Sequence, residues 1–256
     1  MSIHIRPTAP LAERALLPAD PGVALALAQA VLEGPRMFNH SHGLWGYTGL
    51  AVDGRPLTIQ STGIGGPSAA IVLDELISIG LRQAIRVGTA VGLDTTDGTP
   101  DAKPPGSSPS PALGDLVIVD AAVPADGTSR ALGGGELARA DDGLTRAMTT
   151  ASGRTRRGRV VSADLLYGVD DDPALAGAGR AAGAVAVDLE TAAVFALGAR
   201  RQVAVGCVVV VWERRVDGRR VRLDDDGLAA GCEQAGRLGA AGLGARVNQL
   251  TEETWA

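Results

Sequence analysis

The residues best spaced for chemistry run from Ser61 to Ile71, Ser-Thr-Gly-Ile-Gly-Gly-Pro-Ser-Ala-Ala-Ile, directly after the apolar run Pro56 to Gln60. Glycines permit a tight turn after a strand, Pro67 suits the first helical position, and Ser68 to Ile79 continues with helical spacing. Backbone N–H groups at such a helix start converge on one spot, which suits an anion or a sugar. The same pattern also serves as a plain strand-to-helix connection. It is neither Gly-x-Gly-x-x-Gly nor a lysine phosphate loop, so dinucleotide and nucleoside-triphosphate readings are disfavoured. His40 and His42 share one loop, but two histidines without a third ligand make a poor metal site. Cys207 and Cys232 lie far apart without CxxC spacing, so neither a zinc site nor a structural disulfide is expected.

Around this turn the pattern reads as α/β. Arg14 to Pro18 is a buried strand opening onto Ala19-Asp20-Pro21, and Val23 to Leu32 is helical. Residues 35–43 read as a loop, and Trp45 to Val52 with Pro56 to Gln60 as a hairpin across Asp53-Gly54. Gln83 to Thr89 is a short strand after the helix, which makes a parallel crossover unit. Residues 95–113, rich in Pro, Ser and Gly, read as a flexible surface insertion. Asp115 to Asp120 is a strand, Asp120 to Arg130 a loop, and 136–152 one helix. Arg159 to Ser162 and Ala184 to Asp188 are strands, Leu189 to Gln202 a helix, and Ala204 to Trp212 a strand buried on both faces. A polar loop, Glu213 to Asp226, precedes the last helix, Gly227 to Gln249. Ligands in open α/β sheets bind beyond the carboxyl ends of strands, and the polar residues collect there.

The 256 residues, 45% of them hydrophobic, fit one large domain spanning 1–256 with ample core. A net charge of −5 and the absence of a lysine-rich or aromatic-interleaved face argue against nucleic acid as a partner. The basic run Arg154 to Arg159 reads as a solvated turn before a strand. No apolar run reaches membrane-spanning length and the N-terminus lacks the layout of a signal peptide, so a cytoplasmic enzyme with no membrane partner is expected.

Several stretches in order resemble the hexameric purine nucleoside phosphorylase and uridine phosphorylase family, nucleoside phosphorylase family I. They are Leu17-Pro-Ala-Asp-Pro21, Tyr47-Thr-Gly49, Ser61 to Ser68, Ile85-Arg-Val-Gly-Thr89, Gly114-Asp-Leu-Val117, Ser162-Ala-Asp-Leu-Leu-Tyr167 and Asp188-Leu-Glu-Thr-Ala192. The resemblance implies a three-layer fold with a mixed central β-sheet flanked by helices, and a homo-oligomer, dimer-based and hexameric. It implies cleavage of a nucleoside's N-glycosidic bond by phosphate, with phosphate as co-substrate and no cofactor.

Such a reaction needs a grip on the ribose hydroxyls, an acid for the leaving base and a held nucleophile. By resemblance Glu190 accepts hydrogen bonds from the ribose 2′ and 3′ hydroxyls, although a carboxylate at a helix start also has a purely structural use. Leu189, where the family has methionine, packs under the sugar, and His4 reaches a neighbour's site to contact the 5′ hydroxyl. Leu166 and Tyr167 pack on the base together with Gly92, Leu166 replacing a phenylalanine. Glu213 falls on the purine enzymes' catalytic aspartate; its structural alternative is a loop carboxylate paired with Arg214 or Arg215. The Gln and Arg that read uracil are missing from Gly168 to Asp172, which argues against ordinary uridine specificity.

The phosphate clamp departs most from the family. Arg86 and Thr89 match it, but Ala19 stands for a glycine, Val23 for an arginine, and His42 for the arginine a neighbouring subunit donates. Each lost charge-assisted contact is worth roughly 1.5 to 3 kcal/mol. Three readings follow: a phosphorylase relying on Arg86, Thr89, His42 and an arginine from the 214–222 loop; a nucleoside hydrolase in which water replaces phosphate; and a non-catalytic nucleoside-binding homologue or an enzyme for a modified nucleoside.

Overall fold

The computed structural model describes residues 2–93, 110–152, 155–166, 177, 179, 182–216 and 219–253. Most of the 95–113 insertion, together with Tyr167, Arg154 and Gly168 to Asp172, lies outside the described residues. The strands are β1 (Arg14–Pro18), β2 (Glu33–Asn39), β3 (Gly46–Leu50), β4 (Pro56–Gln60), β5 (Gln83–Gly92) and β6 (Leu116–Pro124). They continue with β7 (Ala138–Arg139), β8 (Arg156–Ser162), β9 (Ala184–Asp188), β10 (Ala204–Val216) and β11 (Arg219–Arg222). The helices are α1 (Pro21–Val31), α2 (Gly66–Ser78), α3 (Gly127–Ala131), α4 (Asp142–Ala151), α5 (Thr191–Arg201) and α6 (Asp225–Glu253), with a 3-10 turn at Ser41–Gly43.

All the strands join one mixed sheet. On β1, Ala15 and Leu17 face the layer of α2 and α5, while Leu16 faces α1, α4 and α6. On β10, Val205, Cys207, Val209 and Val211 take the first face and Val208 and Val210 the second, as the two-residue period of a strand requires. This is the expected three-layer arrangement. Within it β5, β10, β6, β8 and β9 pair in a closed ring, and β1, β4, β3 and β2 extend from β5.

The ring forces a seam along β5. One edge of β5 pairs with β1 from Gln83 to Val87 and with β9 only at Val91 and Gly92. From Gly88 to Ala90 that edge has no strand partner. β1 ends at Pro18, opposite Val87, and β9 at Asp188, so Ala19 and Leu189-Glu190 follow directly from the two strands that share this edge.

Several segments differ from the sequence reading, each for a local reason. Of the expected loop 35–43 only 40–43 is one: Glu33–Asn39 pairs with β3, and such an edge strand tolerates Pro35 and polar side chains. The supposed loop from Asp120 holds the end of β6 and then α3, capped by Asp126 accepting from Ser129 N. The single helix over 136–152 divides into β7 and α4, because Asp141 caps α4 at Leu144 N. Arg156 to Arg159 belong to β8 rather than to a turn. The polar loop after Trp212 is largely a hairpin, β10 running on to Val216 and pairing with β11. In β2 and β11 most side chains face solvent, which hides the apolar alternation.

Candidate active site

Beyond β4, Gly63 and Gly65 take φ of 74° and 90°, a region open to glycine, and so permit the turn. Thr62 N donates to Pro18 O at 2.8 Å, Gly63 N to Ala19 O at 3.0 Å, and Ser68 Oγ to Thr62 O at 2.6 Å. The turn is thus fastened to the end of β1 and to its own helix. Its anion is supplied from within the chain: Gly65 N donates to Glu190 Oε1 at 2.8 Å.

Glu190 is the N-cap residue of α5, yet its side chain makes no capping bond. Asp188 serves that end, accepting from Thr191 N at 3.3 Å and from the Thr191 hydroxyl. The structural explanation for a carboxylate at a helix start therefore applies to Asp188 and leaves Glu190 aimed elsewhere. Glu190 Oε2 accepts from Arg86 Nη2, and Arg86 Nη1 lies 3.2 Å from Asp188 Oδ2. Ser162 Oγ donates to Asp188 Oδ1 at 2.6 Å. All three charged groups are buried.

Burial works against the Arg86 charge, but Glu190 and Asp188 outweigh it and raise its pKa. Burial pushes the Asp188 carboxyl upward, opposed by Arg86. The two carboxylates differ in what they have left to offer. Asp188 is filled by Ser162, Thr191 and Arg86. Among the described residues each oxygen of Glu190 has one hydrogen-bond partner, and a carboxylate has about four acceptor positions, so one remains on each oxygen with respect to those residues. Two acceptors on neighbouring oxygens suit two neighbouring hydroxyls.

The remaining residues singled out from sequence fall into distinct places. Leu189 is half-buried between the two carboxylates, and Ala19 is half-buried at the glycine turn. Thr89 lies on the unpaired edge of β5, where strand alternation sends its side chain to the face opposite Arg86. Val23 is in the first turn of α1, its N–H held by Asp20 Oδ1 at 2.8 Å. Gly92 ends β5, packed near Val211 and Pro111. Leu166 is half-buried after β8, at the limit of the described residues.

His4 and His42 are brought to each other, Nδ1 to Nε2 at 3.3 Å with ring centroids 5.0 Å apart. No recorded contact among the described residues joins them to Glu190 or Arg86. Two anchors create the pair. Glu75 on α2 accepts from the N–H groups of Ile3, His4 and Ile5 at 2.7 to 3.1 Å. Asn39 accepts from Arg6 N at 2.9 Å and donates to Leu44 O at 2.6 Å. His42 has φ 58°, a left-handed conformation that few side chains adopt.

Glu213 is buried on β10 in register with Val91 of β5. Its oxygens face Arg222 Nε and, at 3.7 Å, Arg220 Nε, rather than Arg214 or Arg215 as the sequence alternative had it. The Arg222 guanidinium also lies 5.0 Å from the Trp212 ring centroid. Sequence reasoning gave no role to Asp188, Cys207 or Glu75. Asp188, two residues before Glu190 at a strand end, was the one signal present.

The phosphorylase superfamily profile matches residues 13–241, and the chain belongs to that family. A DeoD-type purine nucleoside phosphorylase of Geobacillus kaustophilus is 33% identical over 208 residues, covering 78% of this chain and 80% of that protein. A uridine phosphorylase of Treponema pallidum is 30% identical over 210 residues, covering 77% and 75%. The crystal structure of a Vibrio fischeri uridine phosphorylase superposes with a TM-score of 0.74 at 23% identity, covering 91% of this chain and 92% of the other. That likeness establishes the fold.

Proposed function

We propose that the chain is a nucleoside phosphorylase, a pentosyltransferase that cleaves the N-glycosidic bond with phosphate to give free base and ribose 1-phosphate. The observation that carries this reading is Glu190: buried, relieved of helix capping, pinned through one partner on each oxygen, and left with two acceptor positions for a vicinal diol. The phosphorylase names of both relatives favour phosphate over water as the nucleophile. The anion is held beside the unpaired edge of β5 by Arg86 and Thr89, near Ala19, with His42 supplied by a second copy.

Purine and uridine phosphorylases both occur among the relatives, and the substitutions at Leu166 and the missing uracil-reading pair favour a purine or modified base. Leu189 packs beneath the sugar, and Tyr167 and Gly92 flank the base. Glu213 is the acid for the leaving base, with Arg222 and Arg220 beside it.

The exposed apolar side chains of the chain support a homo-oligomer. Ile64 of the glycine turn is 78% exposed and Ile3, next to His4, 66%, and Met37 and Trp45 are exposed as well. A second copy covering these side chains brings His4 and His42 to a neighbouring site.

The test is Glu190→Ala assayed with inosine and uridine plus inorganic phosphate. Loss of about 100-fold or more in kcat/KM is expected for a group acting in the transition state. Wild-type turnover in a folded variant would mean that Glu190 does not hold the ribose.

A further inference from the structure

We propose that the Ser162 hydroxyl is a positioning group for Glu190, bracing the turn that carries it from both sides. This rests on the reading that Glu190 holds the ribose diol. Ser162 ends β8 and stands in register with Asp188, the last residue of β9. Its Oγ donates to Asp188 Oδ1 at 2.6 Å and accepts from Ala192 N at 2.8 Å. Those partners lie two residues before Glu190 and two residues after it. One buried hydroxyl, its single proton given to one side and a lone pair to the other, therefore spans the whole strand-to-helix turn.

The turn depends on such a brace because the Glu190 side chain makes no capping bond of its own. Ala192 is in the first turn of α5, where backbone N–H groups have no partner within the helix, and Ser162 satisfies that one from outside. The backbone on either side ties in two further segments. Ser162 O accepts from Ala125 N at 2.9 Å, just beyond β6, and Ala163 N donates to Asp188 O at 2.9 Å. Ala163 opens the stretch that runs to Leu166, so the segments proposed to meet base and ribose are joined at Ser162. Burial pushes the Asp188 carboxyl upward, and the Ser162 hydroxyl is among the groups that oppose it. Without the hydroxyl, Asp188 loses a donor and a buried N–H loses its acceptor, which is costly enough to shift the turn. The Glu190 carboxylate moves with it.

The test reads the sugar, because a hydroxyl that only holds the fold would cost ribosides and 2′-deoxyribosides alike. One that aims Glu190 costs the riboside more, since the deoxyriboside lacks one of the hydroxyls being gripped. The full-length protein, Ser162→Ala, Ser162→Cys and Glu190→Ala are compared for kcat and KM with inosine, 2′-deoxyinosine, uridine and 2′-deoxyuridine at saturating phosphate, with thermal melting to report folding. Ser162→Ala is expected to lower kcat/KM for the riboside about 10-fold more than for its 2′-deoxy counterpart, the scale of one hydrogen bond to a charged group. Ser162→Cys, which keeps a weak donor of similar size, is expected to fall between Ser162→Ala and the parent. Wild-type kinetics in folded Ser162→Ala overturns the proposal, and so does an equal fall with both sugars. Should Ser162→Ala fail to fold, the riboside-to-deoxyriboside ratio of Ser162→Cys decides, an unchanged ratio overturning the proposal. An inactive Glu190→Ala beside an unaffected Ser162→Ala removes only the brace, whereas an active Glu190→Ala removes the ribose reading and the proposal with it.

Discussion

Glu190 and Asp188 are chemically alike and two residues apart, and their surroundings give them separate work. Asp188 is consumed by Ser162, Thr191 and Arg86, whereas Glu190 keeps acceptor capacity. The Arg86–Glu190 pairing was not legible in the sequence, because the two residues are 104 positions apart and no periodicity links them. Resemblance matched Arg86 to phosphate, and its buried contacts to Glu190 and Asp188 have no signature in spacing. Cys207 shows the same limit, reading as one more apolar residue of a central strand. Burial pushes its thiol up to about 11, and Cys232 likewise to about 11. Both are therefore expected to resist iodoacetamide at pH 8 in the folded protein, since the thiolate is the reacting form. Rapid labelling of Cys207 without unfolding would show that the buried surroundings of Arg86 open readily.

At the scale of elements, the N-terminal segment is held by one carboxylate. Burial alone would raise the Glu75 pKa, but the N–H groups of Ile5, Ile3 and His4 outweigh it and lower the value below the ordinary carboxylate range. A depressed carboxyl contributes stability that is complete above its unfolded pKa and is lost as pH falls through the folded value. The segment is thus expected to stay docked at neutral pH and to release in acid. Glu75→Ala should release it at pH 7, seen as faster hydrogen exchange at Ile3, His4 and Ile5; unchanged protection would refute the anchor. His42 makes a second case, since a non-glycine residue in the left-handed region costs about 1 kcal/mol. His42→Gly is expected to be as stable as the parent or slightly more so while raising phosphate KM. A stability loss of several kcal/mol would assign His42 a structural task. The hairpin of β3 and β4 was legible from its turn residues. The strands around Arg36, Arg156 and Arg215 were not, because exposed and edge positions carry no apolar alternation.

For the whole molecule, the α/β class and layered order were readable from the run of buried strands and amphipathic helices. The closed ring of five strands was not, because closure depends on β5 exchanging β1 for β9 along one edge, a long-range choice. That exchange opens the seam on which the site is built. The proposed assembly belongs to this scale as well: the parent should sediment well above the 25.9 kDa chain, and Ile3→Asp with Ile64→Asp should shift it toward monomer. A fully active parent monomer would contradict a shared site. The central claim is tested by incubating the protein with inosine and with uridine, with and without inorganic phosphate, and identifying the sugar by NMR. Ribose 1-phosphate formed only when phosphate is present is the result expected, and free ribose formed without phosphate would contradict it.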